Sequence, residues 1–192
     1  MKKKVAIFLF NGYSDWEIAY LTPEIAKSAT YEVVYFSVDG SPVRSMGGLQ
    51  VHPSMALGDV KADELAMLIL PGGAAWEKGE NTAIAPLVAA MNSGNKYIAA
   101  ICAATAYLAS CGLLDSIRHT SNDLSYLKAV VPSYAGDACY CSTLAVTDAN
   151  IITACGIAPV EFAREIFAAL SLHDGKAIEQ WYQLFKNGIW SE

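Results

Sequence analysis

Apolar residues fall into runs that alternate with helix-forming stretches along the chain. Residues 5–10 (VAIFLF) are continuously apolar, as a parallel strand covered on both faces must be. Asn11-Gly12-Tyr13 turns the chain. Ser14-Asp15-Trp16-Glu17 then opens a helix to about Lys27, which Pro23 kinks or restarts behind Thr22. A second strand is expected at 31–37. Residues 42–52 carry Gly47-Gly48 between short, partly alternating runs, the pattern of a hairpin or β-arm. Residues 66–70 (AMLIL) form the next buried strand and stop at Pro71-Gly72-Gly73, and a helix over about 81–92 follows.

The stretch 97–108 (YIAAICAATAYL) organises the rest. Apolar and small residues run into Cys102, and a helix former follows at once, with no Gly, Pro, Asn or Asp between the halves. This predicts a buried strand turning directly into a helix with Cys102 at the corner. Such a corner needs small neighbours, and Ala100, Ala103 and Ala104 supply them. A sulfur there sits at a helix N-terminus, where free N–H groups favour a thiolate. The competing reading is a small buried hydrophobe that ends a core strand.

Beyond the corner, 117–120 is a short run containing His119, and 122–129 reads as helix. Residues 132–143 read as loop with an extended piece. The runs 144–147 and 151–153 flank Asp148-Ala149-Asn150 as a hairpin, and helices are expected from about Pro159 to Leu170 and over 174–187. Strands alternating with helices, each strand nearly all apolar, specify a three-layer α/β sandwich around a mostly parallel sheet, read as one domain over 1–192. Sites in such sheets lie at the carboxyl ends of strands. Residues 14–17, Gly72-Gly73 and Cys102 all fall there.

Composition narrows the function. The chain has 192 residues, 54% of them hydrophobic and 17% charged, enough for a full core without staples. A formal charge of −6 with scattered basic residues argues against nucleic-acid or anionic-membrane surfaces. The opening MKKKVAIFLF imitates a signal peptide, but its apolar core is too short and lacks a cleavage site. Five cysteines, an odd number in a chain that needs no disulfides, point to the reducing cytoplasm.

The candidate chemistry centres on Cys102. Glu17 has two readings: the third residue of a capping box with Ser14, or an acid leaning over the strand ends towards the thiol. Gly72 and Gly73 read either as an ordinary strand-exit turn or as backbone donors that complete an oxyanion hole with the Ala103 N–H. His119 is a candidate base for Cys102, against the alternative of a packed histidine. Trp16 and Trp76 are expected to wall a pocket for small ligands. His52 and His173 read as structural, and Cys111 and Cys155 as core or loop residues. Cys139 and Cys141 lack the second pair that a zinc site needs. No Walker loop and no GxGxxG occurs, so neither a metal nor a nucleotide cofactor is expected.

These residues together resemble the ThiJ/PfpI superfamily, the class I glutamine-amidotransferase-like α/β proteins that include the parkinsonism-linked branch and intracellular protease I. The resemblance rests on the first strand with Asp15-Trp16-Glu17, Leu70-Pro71-Gly72-Gly73, Ala99-Ala100-Ile101-Cys102-Ala103, Gly112-Leu113-Leu114 before His119-Thr120, and Ile152-Thr153 followed by Gly156 and Glu161-Phe162-Ala163. It implies a flavodoxin-like sandwich, a homodimer, and Cys102 as a reactive thiol on a nucleophile elbow with Glu17 as its acidic partner. Gly72, Gly73 and Ala103 match the family's oxyanion positions. Two departures stand out: Ala103 occupies the place where protease-like and chaperone-like members carry histidine, and no histidine precedes Pro159-Val160-Glu161 as glutamine hydrolysis would need. The expectation is a cytoplasmic cysteine-dependent enzyme, a hydrolase or lyase, for a small electrophilic substrate with a carbonyl, amide or nitrile-like carbon. A non-enzymatic stress sensor oxidised to sulfinate at Cys102 and a binding domain without chemistry are the alternatives.

Overall fold

The computed structural model describes residues 2–190. The first strand, β1 (Lys3–Phe8), pairs in parallel with β2 (Tyr31–Ser37) on one side and, three short strands later in the chain, directly with β6 (Leu65–Leu70) on the other. Two of those short strands, β3 (Val43–Arg44) and β4 (Gln50–Val51), form a separate antiparallel arm, and the third, β5 (Met55–Ala56), edges the main sheet beside β2. Next come β7 (Tyr97–Ile101), β8 (Ala145–Asp148) and β9 (Ile151–Ala154). The seven-stranded order is β5-β2-β1-β6-β7-β9-β8, parallel except for the β8–β9 hairpin. Consecutive residues of a strand point to opposite faces, and Val5 to Phe8, Met67 to Leu70 and Ile98 to Ile101 are all fully buried. Both faces of the sheet are therefore covered, which explains the unbroken apolar runs.

The helices are α1 (Thr22–Lys27), α2 (Ala85–Ser93), α3 (Ala103–Ser110), α4 (Leu124–Val130), α5 (Pro159–Leu170) and α6 (Gly175–Asn187). Helix α5 lies on β7, β8 and β9 and carries α6 on its outer side. Glu161 of α5 ties the two together by accepting from Tyr182 at 3.0 Å and Lys186 at 2.8 Å.

The helix expected over 14–27 is broken. Asp15–Glu17 is a single 3₁₀ turn, and α1 restarts at Thr22 with Pro23 in its first turn, where a missing N–H costs nothing. The chain leaves β1 leftward to β2 and later returns to β1's other side as β6. This reversal opens a crevice at the carboxyl ends of β1 and β6, next to β7.

Candidate functional site

Cys102 stands between the last residue of β7 and the first of α3, with φ +59° and ψ −132°. A non-glycine residue in this region is strained by roughly 1–3 kcal/mol. The strain is held by a backbone bond from Cys102 N–H to the Ala154 carbonyl at 2.9 Å and by buried Ala100, Ala103 and Ala104 around it. The side chain is half-buried, and the Ala103 N–H faces its sulfur.

Glu17 is fully buried. It does not close a capping box, since Ser14 makes no side-chain cap bond. Its Oε2 instead accepts the Gly72 N–H at 2.6 Å, and the carboxyl and Cys102 stand on either side of Gly72. Oε1 has no partner of good geometry among the described residues. A Cβ added to Gly72 would stand 2.6 Å from the Cys102 Cβ and 2.9 Å from both Glu17 oxygens. Only glycine lets the strand exit pass between acid and thiol.

Burial pushes the Glu17 carboxyl up to about 7, against the Gly72 N–H, which favours the anion. Burial, and then the Glu17 charge, push the Cys102 thiol up to about 11, while Asn122 and the Ala103 N–H favour the thiolate. The two groups titrate as a pair that readily holds one negative charge and resists a second. A thiolate favoured by the helix terminus alone, as the sequence suggested, is thus outweighed in the free site by desolvation and a neighbouring carboxylate.

Asn122, which sequence reasoning did not select, is the third polar group. Its Nδ2 lies 3.6 Å from the Cys102 sulfur and its Oδ1 accepts the Gly156 N–H at 3.0 Å, which orients the carboxamide. A Cβ on Gly156 would come within 2.8 Å of the sulfur. Trp16, Glu17, Cys102, Asn122, Cys155 and Gly156, with Ile157 and Pro159 at the mouth, enclose a cleft of about 630 Å³. No group of three metal-ligating side chains is gathered among the described residues.

Several expected site residues lie elsewhere or are otherwise engaged. The Gly72 N–H is spent on Glu17 and is not a free oxyanion donor. Gly73, with φ +146°, packs towards the Gly12 carbonyl and the Phe10 ring and does not line the cleft. The Ala103 N–H favours the Cys102 thiolate. His119 is not a base for Cys102: it is fully buried, with Nδ1 2.8 Å from the Ile117 carbonyl oxygen and Nε2 2.6 Å from the Tyr134 hydroxyl. Trp76 is a core residue, donating to the Pro71 carbonyl at 2.8 Å and packed against Phe8, Phe10 and Tyr107. Trp16 does wall the cleft and is 45% exposed. Cys155, in the loop that follows β9, lines it too.

A strand-to-helix cysteine facing a buried glutamate across a Pro-Gly-Gly strand exit can be compared with known proteins. The profile of the DJ-1/PfpI family matches residues 3–169. The chain belongs to the DJ-1/PfpI family. A relative in Bacillus subtilis, named the uncharacterised protease YoaZ, is 37% identical over 191 residues, covering 96% of this chain and 91% of that protein. The crystal structure of a thiJ/pfpI family protein from Bacillus anthracis superposes with a TM-score of 0.92 at 36% identity, covering 98% of this chain and 92% of the other. A deglycase of Thermococcus kodakarensis, TK1284, is 31% identical over 119 residues, 62% of this chain and 71% of that protein.

Proposed function

We propose that this protein is a cysteine-dependent enzyme acting on a small electrophilic carbonyl compound, with Cys102 as nucleophile and Glu17 as the acid–base partner. The observation that carries the reading is the fully buried Glu17 carboxyl, held by the Gly72 N–H and aimed at a strained, half-buried thiol. A carboxyl with pKa near 7 is poised to exchange protons at neutral pH. As the sulfur attacks the carbonyl carbon, Glu17 takes the thiol proton, so the like-charge repulsion that opposes a free thiolate never develops. The substrate oxygen gains charge as the S–C bond forms, and Asn122 Nδ2 and the Ala103 N–H are the donors beside that position. Glu17 then returns the proton to the departing or rearranging group. The protease and deglycase names of the relatives both fit attack on a carbonyl carbon. The open mouth formed by Trp16 and Ile157 suits a small ligand.

The test is turnover of a panel of small aldehydes, ketones, esters and amides by the wild type, Cys102→Ala and Glu17→Gln. Turnover that vanishes in Cys102→Ala and falls sharply in Glu17→Gln supports the reading. Full turnover in Cys102→Ala would refute it. No turnover of any panel member, with Cys102 alone gaining two oxygens under mild peroxide, would favour the sulfinate sensor instead.

A further inference from the structure

The cleft holds a second sulfur. The parallel register of β7 and β9 ends at Ile101 opposite Ala154, and Cys102 and Cys155 are the residues that follow on the two strands, with the Cys102 N–H still donating to the Ala154 carbonyl at 2.9 Å. Neighbouring strands lie about 4.8 Å apart, within the roughly 4.4–6.8 Å between α-carbons that a disulfide spans. Asn122 connects the two side chains: its Nδ2 is 3.6 Å from the Cys102 sulfur, and its carbonyl O and Oδ1 are 3.7 and 4.0 Å from the Cys155 sulfur. The space over the Gly156 α-carbon is where the Cys102 sulfur rests, one residue beyond Cys155. Both cysteines are unpaired and partly accessible. The other three are placed differently. Cys111 follows the far end of α3, and Cys139 and Cys141 flank the segment that pairs with His119.

We propose that Cys155 is the resolving thiol of Cys102, closing an intramolecular disulfide when a hydroperoxide oxidises the site. The inference rests on the reading of Cys102 as a nucleophile. The Cys102 sulfur attacks the peroxide, its S–O bond forms as the O–O bond breaks, and the remainder leaves as water or an alcohol. Cys102 is then a sulfenic acid. Cys155 loses its proton and attacks that sulfur; the S–S bond forms, the S–O bond breaks and the hydroxyl departs as water. The two thiols together lose two electrons and the hydroperoxide gains them. Rotation of the Cys155 side chain away from the Asn122 oxygens is the motion required. The disulfide intercepts the sulfenic acid before a second oxygen makes the irreversible sulfinate, and any thiol reductant restores the site.

The full-length protein is treated with equimolar hydrogen peroxide, quenched with iodoacetamide, and read by non-reducing intact mass and peptide mapping. The expected result is a monomer lighter by the two thiol hydrogens, a linked peptide pair containing Cys102 and Cys155, and reversal by dithiothreitol. In Cys155→Ser the link disappears, dimedone traps Cys102 and sulfinate then accumulates. Sulfinate at wild-type Cys102 with Cys155 still alkylated would overturn the proposal. So would any link that leaves out either residue. Alkylation of untreated protein separates the two ideas: a reactive Cys102 that never links defeats the disulfide alone, and a Cys102 inert to both reagents defeats the nucleophile as well.

Discussion

Glu17 is ionisable, enclosed and half-satisfied, and these properties set how Cys102 behaves with pH. Removing its charge while keeping the Gly72 contact, as in Glu17→Gln, takes away the proton acceptor for the thiol. Between pH 6 and 9, alkylation of wild-type Cys102 should rise with a midpoint near 7, and the variant should lose that step; stopped-flow alkylation with peptide mapping measures both. Equal profiles would remove Glu17 from the chemistry. The glycines around the sulfur are equally specific in their demands. Gly156 does not have positive φ, so alanine strains no backbone there, yet its Cβ would meet the sulfur at 2.8 Å. Gly156→Ala should therefore slow Cys102 alkylation severely while costing about 1–3 kcal/mol of stability, the usual penalty for overpacking. Unchanged alkylation would show that the sulfur occupies another rotamer.

At the scale of elements, three strand exits meet: β1 into the 14–17 turn, β6 into Pro71-Gly72-Gly73, and β7 into α3. The segment after α3 completes the site without lending it His119. His119 instead pairs with the Cys139–Cys141 stretch through backbone bonds to both cysteines and fastens Tyr134 by its ring. This anchors the loop from which Asn122 projects. Tyr134→Phe leaves His119 Nε2 buried without its partner, at a cost of about 1–3 kcal/mol, visible as a lower midpoint in urea. The pH midpoint of Cys102 alkylation should stay where it is, because neither residue touches the sulfur. A moved midpoint would return His119 to the catalytic group. The elements were legible because the runs 5–10, 66–70 and 97–101 are apolar on both faces, the pattern of parallel strands inside two helical layers. The arm at 42–52 was legible from Gly47-Gly48. The restart at Thr22 was legible from Pro23, but the reduction of Asp15–Glu17 to one 3₁₀ turn was not, because a 3₁₀ turn and the first turn of an α-helix share the same starting residues.

For the whole molecule, burying Glu17 links folding to pH. Its carboxyl is raised from about 4.5 in the unfolded chain to about 7 in the native state, so the native state binds the extra proton between these values. Its contribution to stability is full below about pH 4.5 and is lost as pH rises through about 7, of order 3 kcal/mol in all. Glu17→Gln should accordingly be more stable than wild type at pH 8 and lose that advantage towards pH 4.5, as thermal melts across the range would read. A difference independent of pH would mean that the carboxyl is neutral throughout or well solvated. No helix among the described residues is long and apolar enough to cross a membrane, and the fold's apolar surface goes into one sheet covered on both faces. That architecture, the cysteine at its corner and the family resemblance were determined by sequence alone, since hydrophobic period and small-residue spacing act locally along the chain. Which side chains face the sulfur was decided only by tertiary structure. Asn122, Gly156 and Cys155 reach Cys102 through strand order and register, whereas His119 and Trp76, near it in sequence logic, are drawn into the core by partners that only the folded chain provides.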